Sequence, residues 1–195
     1  MKIILEKGAE DFLEKNQFSV VNRNFIKNKS QLKNIKLSFP WVMKVYSKKI
    51  IHKNKANGII LNIKSPSQAE HSFNKLSKLK GFQGTMIQEQ IKGQELILGL
   101  KSTEDFGLSI LLGKGGTNVE KIKDITFRII PINQKDAEQM IKDLKIKINN
   151  KQAIINNLLK LNKLALKNKN IQELDINPII LTKDKATIVD ARIIK

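Results

Sequence analysis

The sequence predicts an α+β protein of two lobes, and three observations carry that expectation. Strand-like and helix-like apolar patterns come in blocks (helix, strands, helix, strands, helices, strands) and not in strict alternation. The 195 residues and a hydrophobic fraction of 41% are enough for one large domain or two small lobes around buried cores. An apolar-then-polar break near residues 88–95, with Gly93 inside it, divides the pattern into an N-terminal lobe, residues 1–92, and a C-terminal lobe, residues 93–195.

Leu5 to Asn16 carries Leu5, Ala9, Phe12 and Leu13 at helical spacing, an amphipathic helix. Phe18 to Phe25 reads as a short strand, and the polar run Lys27 to Lys36 offers no element. Pro40 opens the strand Trp41 to Tyr46, where Lys44 stands alone among apolar neighbours, and Gly58 to Ile63 is a second strand. Ser65-Pro66 is an N-cap followed by proline at the first helical position, so a helix runs from there to about Lys80. Met86 to Gln90 is apolar and then polar. Glu95 to Leu100 and Gly107 to Leu112 pair around Ser102-Thr103-Glu104-Asp105, and the second strand runs into Gly113-Lys114-Gly115-Gly116. Gln134 to Leu144 and Lys151 to Leu166 are helices. Glu173 to Leu181 and about Ala186 to Ile194 close the chain as a hairpin in which Pro178 ends the ladder or confines it to an edge.

Composition excludes several classes. Without cysteine there is no disulfide, thiolate zinc site or cysteine nucleophile. No apolar run is long enough to span a bilayer and the N-terminus is charged too early for a secretory signal, so a cytoplasmic protein with no membrane partner is expected. The net charge of +18 invites nucleic acid, but only three of 36 basic residues are arginine (Arg23, Arg128, Arg192) and aromatic residues are 5%. Lysines spread along the chain with no dense tail, which is a compositional bias and not a recognition patch. Nucleic-acid binding is therefore not the expected function.

Five constellations carry chemistry. In the closing hairpin Glu173, Asp175 and Asn177 share one strand face, and the return strand brings Asp190 near Asn177. A carboxylate beside an amide carbonyl suits Mg²⁺, which takes few protein oxygens; a solvated surface hairpin reads equally well. Lys44, expensive to bury without an anion, is either a phosphate ligand or an edge lysine. Gly113, Gly115 and Gly116 make either a backbone anion cradle or an ordinary turn, and Glu120, Asp124 and Arg128 follow at four-residue spacing. Arg128 is a candidate clamp for a phosphoryl group. His52, after an apolar pair, is either a nucleophile towards phosphorus or a structural histidine. Gln88 and Glu89 lie where a connecting strand offers backbone amides to a base edge, with Glu95 beyond; spacing alone assigns neither role.

Taken in order, PWVMKVYSKKIIHK with NGIILNI behind it, MIQEQIKGQELILGL, FGLSILLGKGGTNVEKIKDITFRIIPI, and ELDINPIIL with VDARI resemble the ATP-grasp β subunit of ADP-forming acetyl-CoA and acyl-CoA synthetases, relatives of succinyl-CoA synthetase. The resemblance runs from about Pro40 to the C-terminus. It implies an ATP-grasp fold, two α+β lobes with the nucleotide between them, binding ATP or ADP with Mg²⁺. By position it matches Lys44 to a phosphate lysine, Gln88 and Glu89 to the adenine strand, and Glu95 to the ribose carboxylate. Gly113, Gly115 and Gly116 match the phosphate loop, continued by Glu120, Asp124 and Arg128, of which Glu120 and Arg128 are expected at the chemistry. Asn177 and Asp190 match the metal ligands, with Glu173 and Asp175 in support, and His52 matches a phosphoryl relay. The implied partner is a CoA-binding α subunit carrying a phosphorylated histidine, in a hetero-oligomer with two of each. The implied activity couples acyl-CoA, ADP and phosphate to acid, CoA and ATP, and the chain alone is expected to be inactive.

The sequence departs from the family at Ser47-Lys48-Lys49, where Ser-Pro-Asp is common, and at Lys55-Ala56-Asn57-Gly58, which loses an acid and a glycine. The segment between Phe25 and Pro40 is also short. Two rivals remain: another ATP-grasp carboxylate ligase, which needs no histidine relay, and a basic scaffold or nucleic-acid-associated protein that kept the fold without catalysis.

Overall fold

A computed structural model describes residues 2–50, 53, 55–115 and 125–195. His52, Gly116, Glu120 and Asp124 lie outside the described residues. The described chain forms two compact units, residues 1–20 with 92–195, and residues 21–91.

In the larger unit, β1 (Ile3–Ile4), β6 (Gln94–Thr103), β7 (Gly107–Lys114), β8 (Ile125–Ile129), β9 (Glu173–Leu181), β10 (Ala186–Ile188) and β11 (Ala191–Ile194) form one sheet, order β1-β11-β9-β6-β7-β8, with β10 also on β9. Its pairings are antiparallel. One face is covered by α1 (Glu6–Lys15), α3 (Gln134–Asp143) and α4 (Lys151–Lys167), and the core between them includes Leu13, Leu98, Ile110, Met140, Leu158 and Ile176. The caps are built from local polar groups. Asn133 and Asp136 form a capping box on α3, and Asn150 accepts from the Ala153 N–H on α4.

The first twenty residues belong to this unit and not to the N-terminal lobe that the sequence suggests. Ala9, Leu13 and Phe18 bury in the larger core, and β1 completes the sheet edge on β11. The strand expected from Phe18 begins only at Arg23, because Phe18 and Val21 are buried and Val20 makes an isolated parallel bridge to Ile188.

The smaller unit holds β2 (Arg23–Ile26), β3 (Trp41–Tyr46), β4 (Ile59–Ile63) and β5 (Gly84–Glu89) in a sheet of order β2-β5-β3-β4. Helix α2 (Pro66–Leu76) packs on one face, with Trp41, Met43, Val45, Ile87, Phe73 and Leu76 in the core. Ser65 caps α2 as expected, accepting from the Gln68 N–H at 3.3 Å, but the helix stops short of Lys80. The polar run after Phe25, expected to offer no element, folds as a 3₁₀ helix, Lys29–Asn34, closed by Asn28 and Gln31.

Pro178 does not end the ladder. Strand β9 continues to Leu181 between β6 on one side and β11 and β10 on the other. A register shift accommodates it: Leu96 opposes Ile179 and Leu98 opposes Ile176, so Asn177 and Pro178 together face Ile97. The return strand breaks at the same level, into β10 and β11, with Val189 and Asp190 between them.

Candidate functional site

On β9 the alternation leaves Leu174 and Ile176 in the core and turns Asp175 and Asn177 to the opposite face. The Asn177 N–H donates to the Asp190 carbonyl oxygen at 3.1 Å, and Val189 N–H to the Pro178 carbonyl at 3.3 Å. These bonds fix Asp190 beside Asn177, as the spacing predicts. Burial raises the Asp175 carboxyl pKa above its ordinary range; Arg192 opposes that, and the negative charges of Asp190 and Glu173 add to it. Ala191, level with Ile176, is in the core, so Asp190 before it takes the Asp175 and Asn177 side of the sheet.

Across the bulge lie Ile97 and, one strand further, its partner Gly113. Glu95 precedes them on β6, exposed and on the side opposite buried Leu96. The Gly115 N–H donates to the Glu95 carbonyl at 3.0 Å, and a Cβ on Gly115 would lie 2.7 Å from the Glu95 carbonyl carbon. Only glycine allows that approach. One face of one sheet thus gathers Asn177, Asp190, Asp175, Glu95, Gly113 and Gly115.

Among the described residues no group of three or more His, Cys, Asp or Glu could hold a metal ion. The chemistry of the donors fits a hard cation that takes one or two protein oxygens and fills its shell with water and phosphate, as Mg²⁺ does. A closed protein cage is absent among those residues. Beyond the site, Glu173 accepts from Arg192 at 2.9 Å and from Lys101, a cross-strand ladder over β11, β9 and β6. The hydrogen bond from Lys101, above all, holds its carboxyl below the ordinary glutamate range.

In the smaller unit Lys44 is 4% exposed and Gln88 is 1% exposed. Both lie on the face of the sheet away from α2: Lys44 opposes Met86 and Val42 opposes Gln88, while Met43 and Ile87 point into the core. A buried lysine and a buried amide on one sheet face form the second cluster of site residues.

Three placements differ from expectation. Glu89 turns to the other face, level with Trp41, where its carboxylate accepts from Asn22 Nδ2 at 3.1 Å and from the Ser38 N–H at 3.1 Å. The N–H groups of Glu89 and Gln90 are spent on the Asn22 and Pro40 carbonyls, so neither offers itself to a base edge. Arg128 opposes core residue Ile110, on the helix-bearing side of the sheet and away from Asn177. Its guanidinium pairs with Asp143 of α3 and donates to the Phe127 carbonyl at 2.8 Å. With Gln139 it keeps the Asp143 carboxyl below its ordinary range. Arg128 fastens α3 to the sheet and does not join the cluster. Four-residue spacing could not show this, because only the pairing of β8 with β7 fixes the face that Arg128 takes.

Two sheets with helices on one face of each carry, respectively, the oxygen-rich hairpin and the buried strand lysine. The chain belongs to the ATP-grasp domain family, whose model matches residues 1–194. It is 34% identical over 205 residues to acetate–CoA ligase (ADP-forming) II of Archaeoglobus fulgidus, which covers 98% of this chain but 30% of the relative. It is 35% identical over 176 residues to the β subunit of acetate–CoA ligase (ADP-forming) I of Pyrococcus furiosus, covering 81% of this chain and 76% of that subunit. A solved structure of dinucleotide-forming acetyl-coenzyme A synthetase 1 from Ca. Korarchaeum cryptofilum, with coenzyme A, Ca-AMPCP and HgCl⁺, superposes with TM-score 0.88 at 29% identity, over 99% of this chain and 93% of that one. Another structure of that protein, with Mg-AMPPCP and a phosphohistidine segment pointing towards the nucleotide-binding site, gives 0.84 at 29% identity over 99% and 92%.

Proposed function

We propose that this chain is the nucleotide-handling part of an ADP-forming acyl-CoA (acetyl-CoA) synthetase. It binds ADP or ATP with Mg²⁺. Asn177 and Asp190 hold the metal; Gly113, Gly115 and Lys44 hold phosphates; Gln88 lies at the base end of the smaller sheet and Glu95 at the ribose. The observation that carries this reading is the β9–β10–β11 register. It sets Asn177 and Asp190 on the same sheet face as Gly113, Glu95 and Gly115. Bound Mg²⁺ would neutralise phosphate charge, and the chain's own share is positioning, since phosphoryl transfer asks little covalent chemistry of the protein.

In the direction of ATP formation, a CoA-binding α subunit converts acyl-CoA and phosphate to acyl phosphate and CoA. A histidine of that subunit takes the phosphoryl group and releases the acid. His52 then accepts it and passes it to a β-phosphate oxygen of ADP, freeing the imidazole. The assembly has two copies of each subunit and works in the cytoplasm. Metal binding is expected only with a nucleotide present, because the chain supplies few ligands alone.

The test combines the chain with the CoA-binding subunit and follows ATP formation from acetyl-CoA, ADP and phosphate. Activity with both subunits and none with either alone is expected; no ATP from the pair overturns the reading. Asp190→Asn is expected to raise the Mg²⁺ concentration for half-maximal rate about tenfold or more and to weaken Mn²⁺ binding to the ADP complex in spin-resonance titration. An unchanged metal dependence removes Asp190 from the site. Normal turnover of His52→Ala removes the relay.

A further inference from the structure

The helix-free face of the larger sheet extends well beyond the hairpin. Directly paired residues share a face, so the register sorts its side chains into rows that cross the strands. The first row is that of Asn177, Gly113 and Ile125. The second runs from Asp175 over Gly99 and Leu111 to Phe127, and the third from Glu173 over Lys101 and Ser109 to Ile129. Rows two and three are thus charged at β9 and apolar at β8. Phe127 is 63% and Ile129 51% exposed, with Leu111 and Ile125 half-buried beside them. Thr126 and Arg128 oppose the core residues Leu112 and Ile110, so the apolar side chains of β8 all turn the other way. Gly99 leaves a trough between the two halves. A Cβ there would lie 3.0 Å from the Leu174 carbonyl oxygen and 3.9 Å from the Leu111 Cβ. The third row ends at a cavity of about 300 Å³, lined by Lys101, Glu173, Gln172 and Ile194 among others.

Strand β8 is also the last in the sheet order, so among the described strands none lies on its outer edge. Edge strands are ordinarily shielded by charges, proline or a covering element. This one carries a single charge, Arg128, which is engaged with Asp143 on the opposite face. An exposed phenylalanine and isoleucine side by side on such an edge mark a surface that a partner covers. A second copy is a poor candidate, because each copy carries a net charge of +18 and the two repel, whereas a partner of opposite charge is drawn in. The relatives point the same way. The part of the Archaeoglobus fulgidus ligase that matches this chain is 30% of that polypeptide, so most of it is something other than the part like this chain. On the reading proposed above, its counterpart here is a CoA-binding subunit that must bring a phosphorylated histidine to the nucleotide. A subunit seated on the second and third rows lies one pair step, roughly 7 Å, from the row that holds Asn177.

We infer that the face formed by Phe127, Leu111 and Ile129 is the docking surface for the CoA-binding subunit, which lays an apolar segment along β8 and reaches the nucleotide from there. This rests on the proposed function and deepens it by naming where the partner sits. The experiment titrates the CoA-binding subunit into the full chain by calorimetry. Phe127→Ser and Ile129→Ser are each expected to weaken association about tenfold or more, while the chain keeps its wild-type melting temperature and ADP affinity. Phe127→Leu, which keeps much of the apolar area, should fall between the wild type and Phe127→Ser. Leu166→Ser removes another exposed hydrophobic side chain, 47% exposed on α4 and so on the opposite side of the sheet, and should leave association unchanged. Unchanged association in both serine variants of β8 overturns the inference. So does a chain that dimerises by itself in light scattering and is split by Phe127→Ser, which would give the face to a second copy. A wild-type chain that does not associate with the CoA-binding subunit at all is a different outcome: it overturns the proposed function itself.

Discussion

Glu173 and Asp175 are two residues apart on one strand face, and their carboxyl groups are pushed in opposite directions. Glu173 has Lys101 and Arg192 on the strands to either side, and their hydrogen bonds and charge favour its ionised form. Asp175 is more deeply set, and burial there outweighs the help of Arg192. The sign for stability follows from Glu173. A carboxyl with a folded-state pKa below its unfolded value adds stability above the ordinary value of 4.5 and loses it as pH falls through the folded value. Chemical denaturation between pH 7 and pH 3 should therefore show the wild type losing stability on the acid side and Glu173→Gln losing less. The difference should stay below about 1 kcal/mol, because the Lys101 side chain is 60% exposed, and should shrink in high salt. Equal acid slopes would mean that the ladder contributes no linkage.

At the scale of elements, the site depends on how closely β6 and β7 approach at their ends. Gly115 is level with Glu95, and a methyl there would press on the Glu95 backbone and break the 3.0 Å bond between them. Gly115→Ala is expected to cost about tenfold or more in ADP affinity while the circular dichroism of the fold is kept, since the insult is confined to the strand ends. Retained affinity would show that this approach does not shape the phosphate site. The same region shows what a sequence can tell. Alternation in Glu173-Leu174-Asp175-Ile176-Asn177 reveals which side chains share a face, because period two survives in any strand. The bulge at Asn177-Pro178 is not visible that way: it depends on Ile97, far off in the chain, standing alone opposite two residues. Lys44 could be singled out as a lone charge in an apolar run. The placing of Arg128 was not legible either, since only the pairing with Ile110 turns it to α3.

For the whole molecule, the division into units makes the first twenty residues a test of cooperativity. Helix α1 is near the start of the chain, yet Leu13 is fully buried in the core of residues 92–195, with Ala9 and Phe18 beside it. Sequence order hid this, because strand β1 and helix α1 find their partners at the other end of the chain, where Ile193 and Ile194 pair with Ile4 and Ile3. Leu13→Ala removes buried methyl and methylene groups and leaves a cavity, which destabilises by about 2 to 5 kcal/mol. The consequence should be local to one unit. Amide hydrogen exchange of Leu13→Ala is expected to quicken in β6, β9 and α4, which share that core, and to leave β3, β5 and α2 nearly unchanged, since their core of Met43, Ile87 and Leu76 contains no residue from the first twenty. If the exchange of α2 and β3 rises as much as that of α4, the two units unfold as one, and the groups proposed for the nucleotide on the smaller sheet depend on a helix that packs in a different core.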